Sequence, residues 1–233
     1  MSQSPYLNPA QVGVKPDARL STAFLTQSFF WMFVALLLTT GVGFLVATLP
    51  EATLNTLYDV WIFILFGQLA IAFGLTLAIQ RLSATAALLL FFVYAATMGI
   101  TLGLLLLVYQ PSTVLVAGVS AASIFAAAAV YGAATQRDLT NLGGILFVGL
   151  IGIIVASVVN LFVGWDSLNF AISIIGVVIF TGLTAWDVQR IKSGQLAAFT
   201  NSMEKGAVMG AFVLYLDFVN LFLFLLRIFG GRR

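Results

Sequence analysis

Long apolar runs separated by brief polar interruptions dominate this chain, and the lengths of those runs set its architecture. Seven of them reach the roughly 20 residues needed to cross a hydrocarbon layer of about 30 Å. They run from Phe29 to Leu49, Leu57 to Gln80, Ala84 to Tyr109, Ser112 to Thr135, Leu142 to Val163, Ser167 to Ile191 and Gly206 to Phe229. None alternates apolar with polar at the period of a barrel strand. A segment in lipid must satisfy its own backbone N–H and C=O groups, so each run is read as a helix. The expected fold is an all-α integral membrane protein, a seven-transmembrane-helix bundle formed by one domain over residues 28–230. A polar N-terminal tail (residues 1–27) and a short C-terminal tail (residues 231–233) flank it. The opening residues lack the apolar core close behind a basic start that marks a signal peptide.

The basic residues then orient the bundle. Lys15 and Arg19 precede the first run, Arg81 follows the second, Arg137 follows the fourth, and Arg190, Lys192 and Lys205 lie around the junction of the sixth and seventh. The alternate connections carry Glu51, Asp59 and Asp166 instead. The excess of Lys and Arg on one side predicts a cytoplasmic N-terminus. Arg227, Arg232 and Arg233 run against this pattern, because seven crossings carry the C-terminus to the other side. Either the last segment re-enters or those three charges are outvoted; its length favours full crossing. Small residues predict where helices approach closely: Gly118, Ala122 and Ala126 in the fourth, Gly149, Gly152 and Ala156 in the fifth, and Gly206 with Gly210 in the seventh.

Composition narrows the function classes. Only 8% of the 233 residues are charged and 61% are hydrophobic, whereas a soluble domain carries about 25% charged residues. A soluble enzyme and a nucleic-acid-binding protein are excluded, the latter also because the net charge is only +2 with no basic cluster interleaved with aromatics. The chain has no Cys and no His, which removes a thiol nucleophile, an imidazole base and an ordinary zinc site. No cofactor is expected, and the one certain partner is the lipid bilayer.

Two ionisable residues stand inside the apolar runs, where a carboxylate costs about 2.5–3.5 kcal/mol on insertion scales and therefore faces protein or water. Asp217 lies about 15 Å of helix rise inside the last run, and Asp187 near the end of the sixth. At 100° per residue, Asn169, Ser173, Gly176, Phe180, Thr184 and Asp187 share one face, and Gly206, Gly210, Val213, Asp217 and Asn220 share another. Consecutive antiparallel helices can turn these faces toward each other. With boundaries at Lys192 and Lys205, straight helices would leave the aspartates about 10 Å apart in depth, a gap that tilt or a different boundary must close. Asn201-x-x-Glu204 reads as the N-cap of the last helix.

Two carboxylates meeting in a dry site cannot both ionise cheaply, so the pair shares a proton. The same oxygens suit a hard divalent cation such as Ca2+, for which proton and cation compete. Asp187 has a second reading, an ion pair with Arg190 one turn on. Asp217 likewise has the simpler reading of a carboxyl hydrogen-bonded to Asn220 or Tyr215. Arg81 either reaches back as a fork to the carboxylates or snorkels to the interface. Gln68, Tyr94, Asn160 and Arg227 read as interhelical or interface groups.

The stretch Leu214-Tyr215-Leu216-Asp217-Phe218-Val219-Asn220-Leu221-Phe222, followed by Leu225-Leu226-Arg227, closely resembles the last-helix signature of the Bax inhibitor-1 (transmembrane Bax inhibitor motif) family. Thr184 to Gln189, Gly99-Ile100-Thr101-Leu102 and Arg137-Asp138-Leu139 match it too, and the ending Arg227-Ile228-Phe229-Gly230 is similar to a bacterial inner-membrane subgroup. The resemblance implies a pH-sensitive calcium leak channel rather than an enzyme, located in the bacterial inner membrane. It implies that Asp187 and Asp217 form the di-aspartyl pH sensor and cation site, that Arg81 is the latch, and that Thr184, Tyr215 and Asn220 support them. It also implies partners: calcium, protons, and a membrane-bound protease that some family members restrain. A calcium/proton exchanger and a non-transporting regulator of that protease are the alternatives. A membrane aspartyl protease is disfavoured, since no Gly-x-Gly-Asp or Pro-Ala-Leu accompanies the aspartates, and a retinal protein is rejected because it needs a mid-span lysine, whereas Lys15, Lys192 and Lys205 all lie outside the runs.

Overall fold

A computed structural model describes residues 18–230. It consists of eight α-helices with no strand among the described residues: α1 (Ala18–Ala47), α2 (Glu51–Ala78), α3 (Ala84–Leu106), α4 (Pro111–Ala134), α5 (Thr140–Val163), α6 (Asp166–Lys192), the short α7 (Gln195–Thr200) and α8 (Met203–Phe229). All but α7 are long and apolar enough to cross a membrane, which makes the seven spans predicted from hydropathy. Helix α1 starts well before Phe29, inside the stretch read as tail. Lys15, Arg232 and Arg233 lie outside the described residues.

Local chemistry explains the breaks. Ser83 caps α3 by accepting the Ala86 N–H at 3.1 Å, Pro111 opens α4 in the first-turn position that tolerates it, and Gly164 ends α5 at a φ of 72°, a conformation that favours glycine. Between α6 and α8, Gly194 (φ 76°) and Asn201 (φ 52°) bracket α7. Asn201 is therefore not the cap of the last helix. That role falls to Ser202, whose hydroxyl accepts the Lys205 N–H at 3.3 Å, because Asn201 is committed to the left-handed turn that stops α7.

The last helix is the centre of the bundle. Helices α1, α3, α4 and α6 pack around α8, whereas α2 leans mainly on α3, and α5 mainly on α6. Phe212, Leu214, Tyr215 and Leu221 are fully buried on it. Phe91, Tyr94, Phe212 and Tyr215 meet edge to face at centroid distances of 5.3–6.0 Å, the arrangement aromatic quadrupoles prefer. The Tyr215 hydroxyl lies 2.7 Å from that of Thr39, which in turn donates to the Ala95 carbonyl at 2.9 Å, so one polar chain joins α8, α1 and α3.

Close approach is carried by glycines, partly not those expected. Gly206 and Gly210 do sit tight: a Cβ at Gly206 would meet the Ala197 backbone at 2.8 Å, and one at Gly210 the Ser28 hydroxyl at 2.7 Å. In α4 the packed stripe is Ala117, Ala121, Phe125, Ala128 and Gly132; Ala122 and Ala126 are exposed and Gly118 has open space beside it. Gly152 is open as well, while Gly149 touches Ile179. The crossing of α1 and α3 depends on Gly99 and Gly103, whose added Cβ atoms would fall 2.7 Å from Val42 and Val46 side chains.

The two ends of the bundle are chemically distinct. At one, Lys205 donates to the Gln80 carbonyl (2.9 Å), Gln80 to the Phe199 carbonyl (2.9 Å), and Lys192 to the Ala133 carbonyl. The end of α8 lies at the other, where Gly230 packs on the Tyr109 ring. The last segment thus runs the full length of the bundle rather than turning back.

Candidate cation and proton site

Helix α6 presents the polar stripe that its sequence spacing implies. Ser173, Phe180, Thr184 and Asp187 are buried in a row, and Asn169 is half-buried at its far end. Helix α8 faces it with Gly210 and Asp217, Asp187 being 6% exposed and Asp217 4%. The register between them follows from three contacts. A Cβ at Gly210 would stand 3.0 Å from Ile191, one at Gly176 would stand 2.6 Å from the Phe224 ring, and the Thr184 hydroxyl lies at Asp217. Thr184 opposite Asp217 leaves Asp187 one turn, about 4.5 Å of rise, nearer the basic end. The depth gap of about 10 Å expected from straight, level helices narrows to that single turn, because α8 begins beyond the end of α6, with α7 beside its first turns.

The carboxyls are near enough for the charge on Asp187 to bear on Asp217, and Arg190 bears on both. One oxygen of Asp217, Oδ2, is buried with no hydrogen-bond partner among the described residues. An unsatisfied buried carboxylate oxygen is costly, and a proton or a cation at that oxygen is the chemistry that relieves it. Among the described residues no group of three or more acidic side chains collects that would hold a metal firmly. Calcium takes about 6–8 oxygens, more than two carboxyls supply, so the donor set suits a passing cation better than a resident one.

The other candidates fall elsewhere. Asn220 donates back to the Leu216 carbonyl of its own helix (2.8 Å) and Tyr215 points to Thr39, so neither supports Asp217 directly. Thr184, which also donates to the Phe180 carbonyl (2.7 Å), does face it. Arg81 is exposed at the basic end and makes no hydrogen bond or ion pair with either aspartate among the described residues. The guanidinium on Asp187 is that of Arg190: Nη1 donates to Oδ1 at 2.9 Å.

Gln189 has a role that sequence reasoning missed. Its Oε1 accepts the Leu139 N–H (2.8 Å) and its Nε2 donates to the Arg137 carbonyl (2.8 Å), tying the connection between α4 and α5 to the last turn of α6. Of the remaining polar groups, Gln68 joins α2 to α3 by donating to Thr101 (2.8 Å), and Asn160 closes the turn at Trp165 with two bonds. Arg227 is exposed, its guanidinium over the Phe224 ring.

Known proteins match this chain in sequence over most of its length. Residues 21–233 match the family described as inhibitor of apoptosis-promoting Bax1. The chain belongs to the Bax inhibitor-1 family. Its relatives include the inner membrane protein YbhL of Escherichia coli (strain K12), 41% identical over 226 residues, which span 94% of this chain and 96% of that one. An uncharacterized protein of Rickettsia prowazekii is 40% identical over 213 residues, 90% of each chain, and one of Deinococcus radiodurans is 39% identical over 210, again 90% of each. Members of the Bax inhibitor-1 family are thus similar to this chain from α1 to its last residue, a stretch that includes both aspartates.

Proposed function

We propose that this Bax inhibitor-1 family protein is a proton-sensitive leak for calcium or a similar divalent cation. Asp187 and Asp217 share a proton and alternately offer their oxygens to the cation. The observation that carries the reading is the unpartnered, fully buried Oδ2 of Asp217 opposite Thr184 and one turn from Asp187. A cation bound by carboxylate oxygens competes with protons, so its binding weakens as pH falls. The reading is of a transporter and not an enzyme, and the similarity to an inner membrane protein of Escherichia coli supports an inner-membrane location.

Calcium flux into proteoliposomes, followed across pH, tests this with wild type, Asp187→Asn, Asp217→Asn and Arg81→Ala. The aspartate variants are expected to lose most of the pH response. Arg81→Ala tests the latch that the family resemblance implies: a raised resting leak assigns that role to Arg81, an unchanged one assigns it elsewhere. Wild-type pH profiles in both aspartate variants overturn the sensor. Calcium uptake driven by an imposed pH gradient would make the protein an exchanger, and absence of any flux would leave the regulator of a membrane protease.

A further inference from the structure

We propose that Trp186 and Asp187 form a slot for a planar guanidinium cation, filled by Arg190 of the same chain, and that a transported cation gains Asp187 only when Arg190 leaves. The proposal rests on the transport reading for its consequence, but not for the slot itself. Residues 186, 187 and 190 share one turn of α6, where spacings of three and four bring side chains together. The Arg190 guanidinium carbon lies 4.3 Å from the centroid of the Trp186 ring, while Nη1 donates to Asp187 Oδ1 at 2.9 Å. One flat cation thereby meets an aromatic face and a carboxylate acceptor together. A guanidinium does both, and a compact ammonium satisfies one at the expense of the other.

The walls of the slot are held by groups other than Arg190. The Trp186 ring lies against Gly143 of α5 so closely that a Cβ there would collide with it, and Gly132 of α4 is pressed on the Ala185 carbonyl. Gln189 ties the same turn to the connection between α4 and α5. Asp187 is buried. Arg190, by contrast, has a side chain 27% exposed in the last turn of its helix, with a long stem and access to the basic end. Across from the slot α8 brings Asp217. Of the other helices packed on α6, α4 carries only Tyr131 and α1 only Arg19 as ionisable groups, and α5 and α7 carry none. Walls held by their own contacts, and a filler that reaches the basic end, define a site whose occupant can exchange.

Chemical rescue at one fixed pH tests the slot. In a chain whose only tryptophan is Trp186 (Trp31, Trp61 and Trp165 replaced by Phe), Arg190→Ala and Arg190→Gln are titrated with guanidinium chloride at millimolar concentration, below denaturing levels, and with methylammonium chloride. Guanidinium is expected to give a saturable change in Trp186 emission that methylammonium does not give and that a further Asp187→Asn change abolishes. In proteoliposomes the resting calcium flux of either Arg190 variant is expected to rise roughly tenfold and to return toward wild type on adding guanidinium. A Trp186 signal indifferent to guanidinium in both folded variants overturns the slot, whatever the flux does. A saturable signal in a protein that moves no calcium sustains the slot and overturns the transport reading alone.

Discussion

Helices α8 and α5 are both apolar enough to span a membrane, yet 61% of the most apolar stretch of α8 is buried in protein against 11% of that of α5. Phe147, Ile151, Val155, Val158 and Phe162 of α5 face outward, where lipid solvates them as well as protein would. The interior helix is the one that carries Asp217, Gly206 and Gly210. In a bilayer, burial is driven by close packing and polar contacts rather than by escape from water. Hydropathy therefore identifies a span but not its place. Small and polar residues mark the interior, and the same residues make the site.

Glycine substitutions give the largest contrast. Gly210→Leu drives a branched side chain into Ser28 and Ile191 and is expected to cost about 3 kcal/mol or to prevent folding. Gly74→Leu on α2, with nothing within 4 Å, is expected to leave stability within about 0.5 kcal/mol. Unfolding by denaturing detergent in mixed micelles measures both, and equal effects would break the comparison.

Next in size is Gln189→Ala, which strips two hydrogen bonds, one part-buried and one exposed, from the Arg137–Leu139 connection and is expected to cost about 1–2 kcal/mol. Amide exchange at residues 137–139 should quicken while that of α2 is unchanged. Tyr215→Phe, which leaves the ring cluster intact and removes the Thr39 contact, is expected to cost about 1 kcal/mol by the same unfolding assay.

The smallest effect concerns the exposed Asp138. Its Oδ1 accepts the Thr140 N–H at 2.9 Å, and the hydrogen bonds to the Thr140 side chain and backbone hold its carboxyl below the usual carboxylate value. A lowered value in the folded chain means that this contribution is present above the ordinary carboxylate range and is lost as pH falls through the lowered one. The Thr140 amide should therefore exchange faster in acid than exchange chemistry alone predicts, and Asp138→Asn should reduce that extra pH dependence.

Much of this was legible before any coordinates. The seven runs became seven spans, and the α6 stripe from Ser173 to Asp187 was readable because its polar and small residues recur at helical spacing. The α4 stripe was not. That helix is rich in alanine on every side, so Gly118–Ala122–Ala126 and the packed Ala117–Ala121–Phe125 look alike in sequence though they point about 100° apart. The cap at Ser202 was missed by one residue because Asn201 satisfies the same composition rule and is used instead for its tolerance of the left-handed turn. Gln189 gave no signal, since an amide near a helix end is ordinary until the connection between α4 and α5 is seen to lie beside it. Arg190 is visible in sequence as a one-turn partner of Asp187, but only the fold shows its guanidinium over the Trp186 ring.

The account stands on Asp187 and Asp217 acting as one proton-sharing unit. Infrared difference spectra across pH read protonated carboxyls directly. Proton sharing predicts one carboxyl band whose titration midpoint moves in Asp187→Asn and in Asp217→Asn alike. Two bands that titrate independently, each unmoved by the loss of the other residue, would contradict it.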